Sequence, residues 1–183
     1  MKTVFLGIGT NKGNRERNIS IAIKLLSEHK QIKIIKISRM LLNPPQEGIK
    51  TGHFLNGALK IKTSLTPLKL LSICKKIEKK LGRIQNRKQK IKKSRTIDLD
   101  ILFYGKRIFR NKRITIPHPR LHKRYFVLIP MYELDKNFKH PVLNKTIGVL
   151  LKNLIKKSDK SKWGINKEVL GKLLIRNQHQ KLS

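Results

Sequence analysis

The order of apolar patterns along the chain predicts an α+β domain with a βαββαβ core and additional C-terminal elements. Three observations carry this prediction. Strand-type runs occur four times, helical apolar stripes occur twice between them, and 183 residues suffice to bury roughly 70% of the unfolded surface around one core. Val4 to Gly9 reads as a buried strand, and Gly9-Thr10-Asn11-Lys12-Gly13 as the turn that leaves it. Ile19, Ala22, Leu25, Leu26 and His29 then recur at helical spacing, which predicts a helix over roughly 14–29 with one apolar stripe. Residues 32–40 are β-branched and strand-like, and Asn43-Pro44-Pro45 cannot continue a ladder, so the polar stretch to His53 reads as an exposed loop.

From Phe54 to Thr63 the pattern alternates, with Leu55, Leu59 and Ile61 on one face and Phe54, Asn56 and Ala58 on the other. Thr66-Pro67 is an N-cap followed by proline at the first helical position. Leu70, Ile73, Ile77 and Leu81 make the next buried stripe, which Gly82 stops. A fourth strand runs from Thr96 to Phe103. This order is the ferredoxin-like, split βαβ arrangement. Beyond Gly105 a short hairpin near 106–116, a turn at Pro117-His118-Pro119 and an apolar segment from Tyr125 to Leu134 are expected. A domain over 1–150 and a lysine-rich extension over 151–183, helix or tail, complete the organisation.

Composition excludes several classes. Hydrophobic residues make up 38% of the chain and occur in periodic runs, which rules out a disordered basic tail. No apolar stretch approaches the ~20 residues that span a bilayer, and no secretory leader is recognisable at the N-terminus. The single cysteine, Cys74, cannot form an internal disulfide, and its place on an apolar helix face reads as a small core residue. A soluble, cytoplasmic, monomeric globule without membrane contact is expected. Lys plus Arg number 44 against 10 Asp plus Glu, a net charge of +34. The chain also holds 32 Lys, 24 Ile and only 2 Ala, a skew that codon bias in an AT-rich genome produces without selection on function. The charge therefore predicts non-specific attraction of polyanions and no specific nucleic-acid partner. One segment stands out, Arg83 to Arg95, with seven basic residues in thirteen and no acid.

The chemistry concentrates in Thr96-Ile97-Asp98-Leu99-Asp100-Ile101. On a strand, Asp98 and Asp100 share one face while Ile97, Leu99 and Ile101 point into the core, and the two carboxylate stems stand about 6.6 Å apart. Adjacent acids repel unless a cation relieves them, and this spacing accommodates two hard divalent ions of the kind used in phosphoryl transfer. An exposed acidic pair satisfied by lysines is the alternative, and Glu133 and Asp135 repeat the same spacing. Other motifs fail: the glycines from Gly7 to Gly13 miss the dinucleotide fingerprint by one residue, no P-loop exists, and Pro117 and Pro119 disfavour a zinc-binding helix around His118 and His122.

Taken together, Phe5-Leu6-Gly7-Ile8-Gly9-Thr10-Asn11, Asn43-Pro44-Pro45, Phe54-Leu55-Asn56, Glu78 with Leu81-Gly82-Arg83, Arg95 to Leu102, and Ile116 to Arg120 with Arg124 and Phe126 resemble the 6-hydroxymethyl-7,8-dihydropterin pyrophosphokinase (2-amino-4-hydroxy-6-hydroxymethyldihydropteridine diphosphokinase) family. The resemblance implies a transferase of folate biosynthesis that moves the β,γ-pyrophosphate of ATP to the pterin hydroxymethyl oxygen and releases AMP. It implies that Asp98 and Asp100 hold two Mg²⁺ ions, with Arg83 and Arg95 joining them in catalysis. Asn43, Pro44, Pro45, Gln46, Phe54, Asn56 and Phe126 are implied to hold the pterin. Glu78, Ile101, Arg113, Thr115, His118 and Arg124 are implied to surround ATP. The basic segment is implied to close over both substrates. Within it, Ile91-Lys92-Lys93-Ser94-Arg95 stands where the family has Arg-Trp-Gly-Pro-Arg, and Gln85 stands where many members have a phosphate-binding arginine. The alternatives are a catalytically weakened pseudoenzyme of the same fold and a basic RNA-binding module, although no aromatic-rich RNP-type strand is present.

Overall fold

A computed structural model describes residues 1–44, 52–82 and 94–157. The core follows the predicted order. Strand β1 (Lys2–Thr10) leads into helix α1 (Arg15–Ser27), β2 (Ile32–Ile37), β3 (Leu41–Asn43), β4 (Phe54–Thr63), α2 (Pro67–Lys80) and β5 (Asp98–Tyr104). The main sheet runs β2-β4-β1-β5 with every neighbouring pair antiparallel, and β3 also pairs with β4. Local chemistry sets the helix ends. The Asn14 side chain accepts from Arg17 N at the start of α1, Thr66 does the same for Lys69 N at α2, and Gly82 leaves α2 at φ +79°.

Helices α1 and α2 cover one face of the sheet. Val4, Leu6 and Ile8 of β1 meet Ile19, Ala22 and Leu26 of α1 and Leu70, Cys74 and Ile77 of α2 in a continuous core. The opposite face is covered over half its length by α3 (Tyr125–Asp135) and α4 (Ile147–Lys157), which bury Phe5, Ala58, Leu102 and Phe103. A bulge makes this possible: opposite Phe5 and Leu6 stand Phe103 and Ile101, so Leu102 is the extra residue and turns the same way as Phe103. The apolar run from Tyr125 thus forms a helix, with Pro130 inside it. The expected hairpin is β6 (Phe109–Arg110) with β7 (Thr115–Ile116).

Two expectations change. The strand expected over 32–40 ends at Ile37 and β3 begins only at Leu41; between them the Ser38 N–H donates to Ala58 O at 3.0 Å and its hydroxyl accepts from Ala58 N at 2.9 Å. Asn43 lies within the ladder, opposite Phe54 and 2% exposed, because only the prolines after it lack the N–H that pairing needs. Helix α4 spans residue 150 and buries Leu151. The rest of the extension, 158–183, lies outside the described residues.

Candidate active site

Half of the second sheet face is left open, and there β1 carries no side chains. Gly7 and Gly9 occupy the positions that alternate with Phe5, so the strand forms a bare floor. The neighbouring strands supply the functional groups across that floor. Gly9 is paired with Asn56 on one side and Asp98 on the other, and Gly7 with Ala58 and Asp100. A Cβ built on Gly9 would stand 2.4 Å from Asn56 Oδ1, so glycine is what lets the amide lie over the strand. The resulting cavity holds about 330 Å³, within the range of small-ligand sites.

Asp98 and Asp100 both line this cavity, as the alternation predicted, while Leu99 between them is fully buried on the helix side. Arg95 Nη1 pairs with Asp98 Oδ2. Burial, and after it the charge of Asp98, raises the Asp100 carboxyl above the ordinary carboxylate range, against the pull of His118, Lys75 and Arg95. A carboxylate kept short of its charge by a like neighbour is a group that a divalent cation would satisfy. The oxygen donors suit Mg²⁺, which binds through one or two carboxylates plus phosphates and water. No set of three or more His, Cys, Asp or Glu side chains poised to hold a metal occurs among the described residues.

Cations surround the acidic pair. Lys75, Arg95, Arg120 and Arg124 line the cavity, four basic side chains against two acidic ones, an electrostatic excess that suits a polyphosphate. Lys75 is fixed from behind: its Nζ donates to both oxygens of the buried Glu78 at 2.9 and 3.0 Å, and Glu78 Oε1 also accepts Leu99 N at 2.9 Å. His118 stands beside Asp100 because its N–H donates to Leu102 O at 3.0 Å; burial lowers its affinity for a proton, Arg124 and Arg120 push the same way, and Asp100 opposes them. The remaining wall is apolar and amide. Phe54 of β4 and Phe126 of α3 line it, with the Arg124 guanidinium 5.6 Å from the Phe126 ring centre. Asn56 Nδ2 donates to Asn43 Oδ1, which leaves Asn56 Oδ1 to face the glycine floor.

A family model described as 7,8-dihydro-6-hydroxymethylpterin-pyrophosphokinase (HPPK) matches residues 5–136, a span that contains every one of these groups. The chain belongs to that family. As a member of the pyrophosphokinase family it is an ATP-dependent diphosphotransferase, and pyrophosphate transfer in folate biosynthesis is the activity it carries. A 2-amino-4-hydroxy-6-hydroxymethyldihydropteridine pyrophosphokinase from Aquifex aeolicus is 41% identical over 80% of this chain and 89% of its own length. The bifunctional protein FolKE of Lactococcus lactis is 42% identical over 76% of this chain, which spans only 40% of that longer protein. A crystal structure of wild-type HPPK-DHPS from Plasmodium falciparum superposes with a TM-score of 0.66 at 18% identity, covering 90% of this chain and 46% of that one, and so supports the fold.

Of the site residues that the family resemblance implies, the cavity brings together Asn43, Phe54, Asn56, Arg95, Asp98, Asp100, His118, Arg124 and Phe126. It does not reach Glu78 and Ile101, which are 1% and 3% exposed behind its wall, nor Arg113 and Thr115 on the β6–β7 hairpin. Pro44 adjoins it by accepting a hydrogen bond from Asn43 Nδ2 at 3.0 Å. Pro45, Gln46 and Arg83 lie outside the described residues, as do Gln85 and the altered positions 91–93. Sequence reasoning missed Gly7, Gly9, Lys75 and Arg120 as wall components. The glycines were legible as positions sharing Phe5's face, and Lys75 as a cation three residues before an acid on an inward helix stripe. Cys74 is the core residue expected: burial, then Glu78, pushes its thiol up to about 12. The RNA-binding alternative loses its platform, since Phe5 and Phe103 on that sheet face are fully buried.

Proposed function

We propose that this chain transfers the β,γ-pyrophosphate of ATP to the hydroxymethyl oxygen of 6-hydroxymethyl-7,8-dihydropterin. The pterin oxygen bonds to the β-phosphorus, the bond from that phosphorus to the α–β bridging oxygen breaks, AMP leaves with the bridging oxygen, and the hydroxyl proton passes to water. The observation that carries this reading is the placement of Asp98, Asp100 and Asn56 on one open sheet face, separated only by two glycines.

Asp98 and Asp100 would hold two Mg²⁺ ions, which when bound neutralise phosphate charge and align the attacking oxygen with phosphorus. The protein groups do the rest. Asn56 reads the amide edge of the pterin through the oxygen that Asn43 leaves free. Phe54 and Phe126 hold the ring between them by stacking. Arg95, His118 and Arg124 bind phosphate oxygens, and the fixed charges of the two guanidinium groups stabilise the transferring group without reorganisation. Arg83 joins Arg95, and Pro44, Pro45 and Gln46 complete the pterin pocket. Glu78 acts on the nucleotide side through Lys75, which it holds in the cavity. Ile101, Arg113 and Thr115 stand around ATP beyond the cavity.

The chain acts as a cytoplasmic monomer with no specific nucleic-acid or membrane partner. No helix among the described residues is long and apolar enough to cross a membrane. The decisive experiment measures AMP release from ATP with and without the pterin. Pterin-dependent AMP formation is expected, and AMP formation at background level would refute the assignment. Titration with an inert ATP analogue, with and without Mg²⁺, tests the metal: an analogue affinity indifferent to Mg²⁺ would remove the ions from the site.

A further inference from the structure

The meeting of Arg95 and Asp98 needs an explanation, because in an extended strand residues 95 and 98 point to opposite faces with Cα atoms about 10 Å apart. The β1–β5 ladder contains the answer. Gly9 stands opposite Asp98, so an uninterrupted antiparallel register would place Thr96 opposite Asn11. Arg95 stands there instead. Asn11 N donates to Arg95 O at 3.0 Å, and Arg95 N donates to Asn11 Oδ1 at 2.6 Å. Thr10 Oγ1 adds a second bond to the Arg95 carbonyl at 3.3 Å.

The chain therefore slips by one residue through a bend at Thr96, and a one-residue slip moves a side chain to the other face of a sheet. Arg95 takes the place of residue 96, and its guanidinium falls on the face of Asp98. The clasp is protected from water: Thr10 is 0% and Asn11 8% exposed. Both backbone polar groups of Arg95 are committed to this one turn.

We infer that Asn11 is a positioning residue for the transfer, imposing the slip that presents the Arg95 guanidinium to the acidic pair. The inference rests on the proposed function. Its test is a double-mutant cycle on the full chain, reading AMP release for wild type, Asn11→Ala, Arg95→Ala and the double variant. Asn11→Ala is expected to lower kcat on the order of tenfold to a hundredfold while pterin affinity stays within about twofold, since the Asn56 wall is untouched. The double variant should be no slower than Arg95→Ala alone. Asn11→Asp keeps the acceptor oxygen, and Asn11 Nδ2 has no hydrogen-bond partner among the described residues, so this variant should restore most of the turnover.

Losses that multiply in the double variant, or a lowered melting temperature with unchanged kcat, would overturn the inference. Should Asn11→Ala fail to fold, Asn11→Ser, whose shorter side chain cannot reach Arg95 N, takes its place in the cycle under the same criteria. If wild type itself releases no AMP, the functional reading fails separately. The cycle is then read from the affinity of an inert ATP analogue, where the same non-additivity is expected and additive losses overturn the clasp.

Discussion

The two faces of β1 are built on opposite rules. Val4, Leu6 and Ile8 fill the face toward α1 and α2 with apolar side chains, all at 2% exposure or less. On the other face Phe5 is followed by Gly7 and Gly9, and the strand withdraws from the space it could occupy. One face gains stability by being filled; the other gains a site by being vacated, so that carboxylates from β5 and an amide from β4 converge over bare backbone. Substitutions on the two faces should separate accordingly, changing stability on one and turnover on the other.

The largest effect is expected on the vacated face. Asp98→Ala or Asp100→Ala should lower turnover by at least about a thousandfold, ~4 kcal/mol in activation free energy, while the melting temperature holds or rises because a repelling pair is relieved. Steady-state rates beside thermal unfolding check this, and near-wild-type rates in either variant would remove the metal-binding role. Next in size is the filled face. Leu6→Ala, at a fully buried position, should destabilise the fold by about 2–5 kcal/mol in chemical denaturation and leave kcat of the folded fraction near wild type. A kcat loss exceeding the loss of folded protein would show that the faces are not separable.

A smaller effect sharpens the contrast within the vacated face itself. Gly9→Ala would drive a methyl group to 2.4 Å from Asn56 Oδ1, whereas at Gly7 the nearest atom is a Leu102 methyl at 3.4 Å. Gly9→Ala should therefore weaken pterin binding about tenfold or more, ~1.4 kcal/mol, by displacing the amide that reads the ligand edge, with ATP-analogue binding less affected. Gly7→Ala should change pterin affinity far less. Equal losses at the two glycines, measured by titration, would contradict the floor geometry.

The sequence made the filled face legible and the vacated face only partly so. Period-two alternation placed Asp98 and Asp100 together and Phe54 with Asn56, because side-chain direction on a strand is a local property. The cap at Thr66 and the stop at Gly82 likewise fixed α2 to within a residue. Tertiary contacts decided the rest. Asn43 reads as loop from its prolines but is drawn into the ladder by Phe54, and Glu133, known from sequence only for its spacing to Asp135, binds Arg39 N at 2.9 Å and Arg39 Nη2 at 2.8 Å across 94 positions. No local pattern announces such a partner. The slip at Arg95 is equally hidden, since it arises from a turn 84 residues away.

The smallest predicted effect concerns the half of this same face that α3 and α4 cover. There a titratable group is kept neutral instead of being put to use. His140 lies 5.3 Å from the Phe103 ring, and burial, followed by the proximity of His122, lowers its pKa to about 4 from 6.5. Its Nδ1 accepts from Val142 N and Leu143 N at 3.2 Å each, so a proton there would also displace two hydrogen bonds. The unfolded chain takes up this proton near pH 6.5 and the folded chain only near 4. Stability from this group is thus complete above pH 6.5, drains as pH falls through that window, and changes no further below it. The expected loss is about 1 kcal/mol, since solvent screening reduces it well below the full shift. Asparagine can accept the same two N–H groups without titrating, so denaturant midpoints of His140→Asn should show a flatter slope between pH 6.5 and 4 than wild type. Identical slopes would mean that His140 charges freely in the fold, and that burial on the covered half does not suppress charge as the open half exploits it.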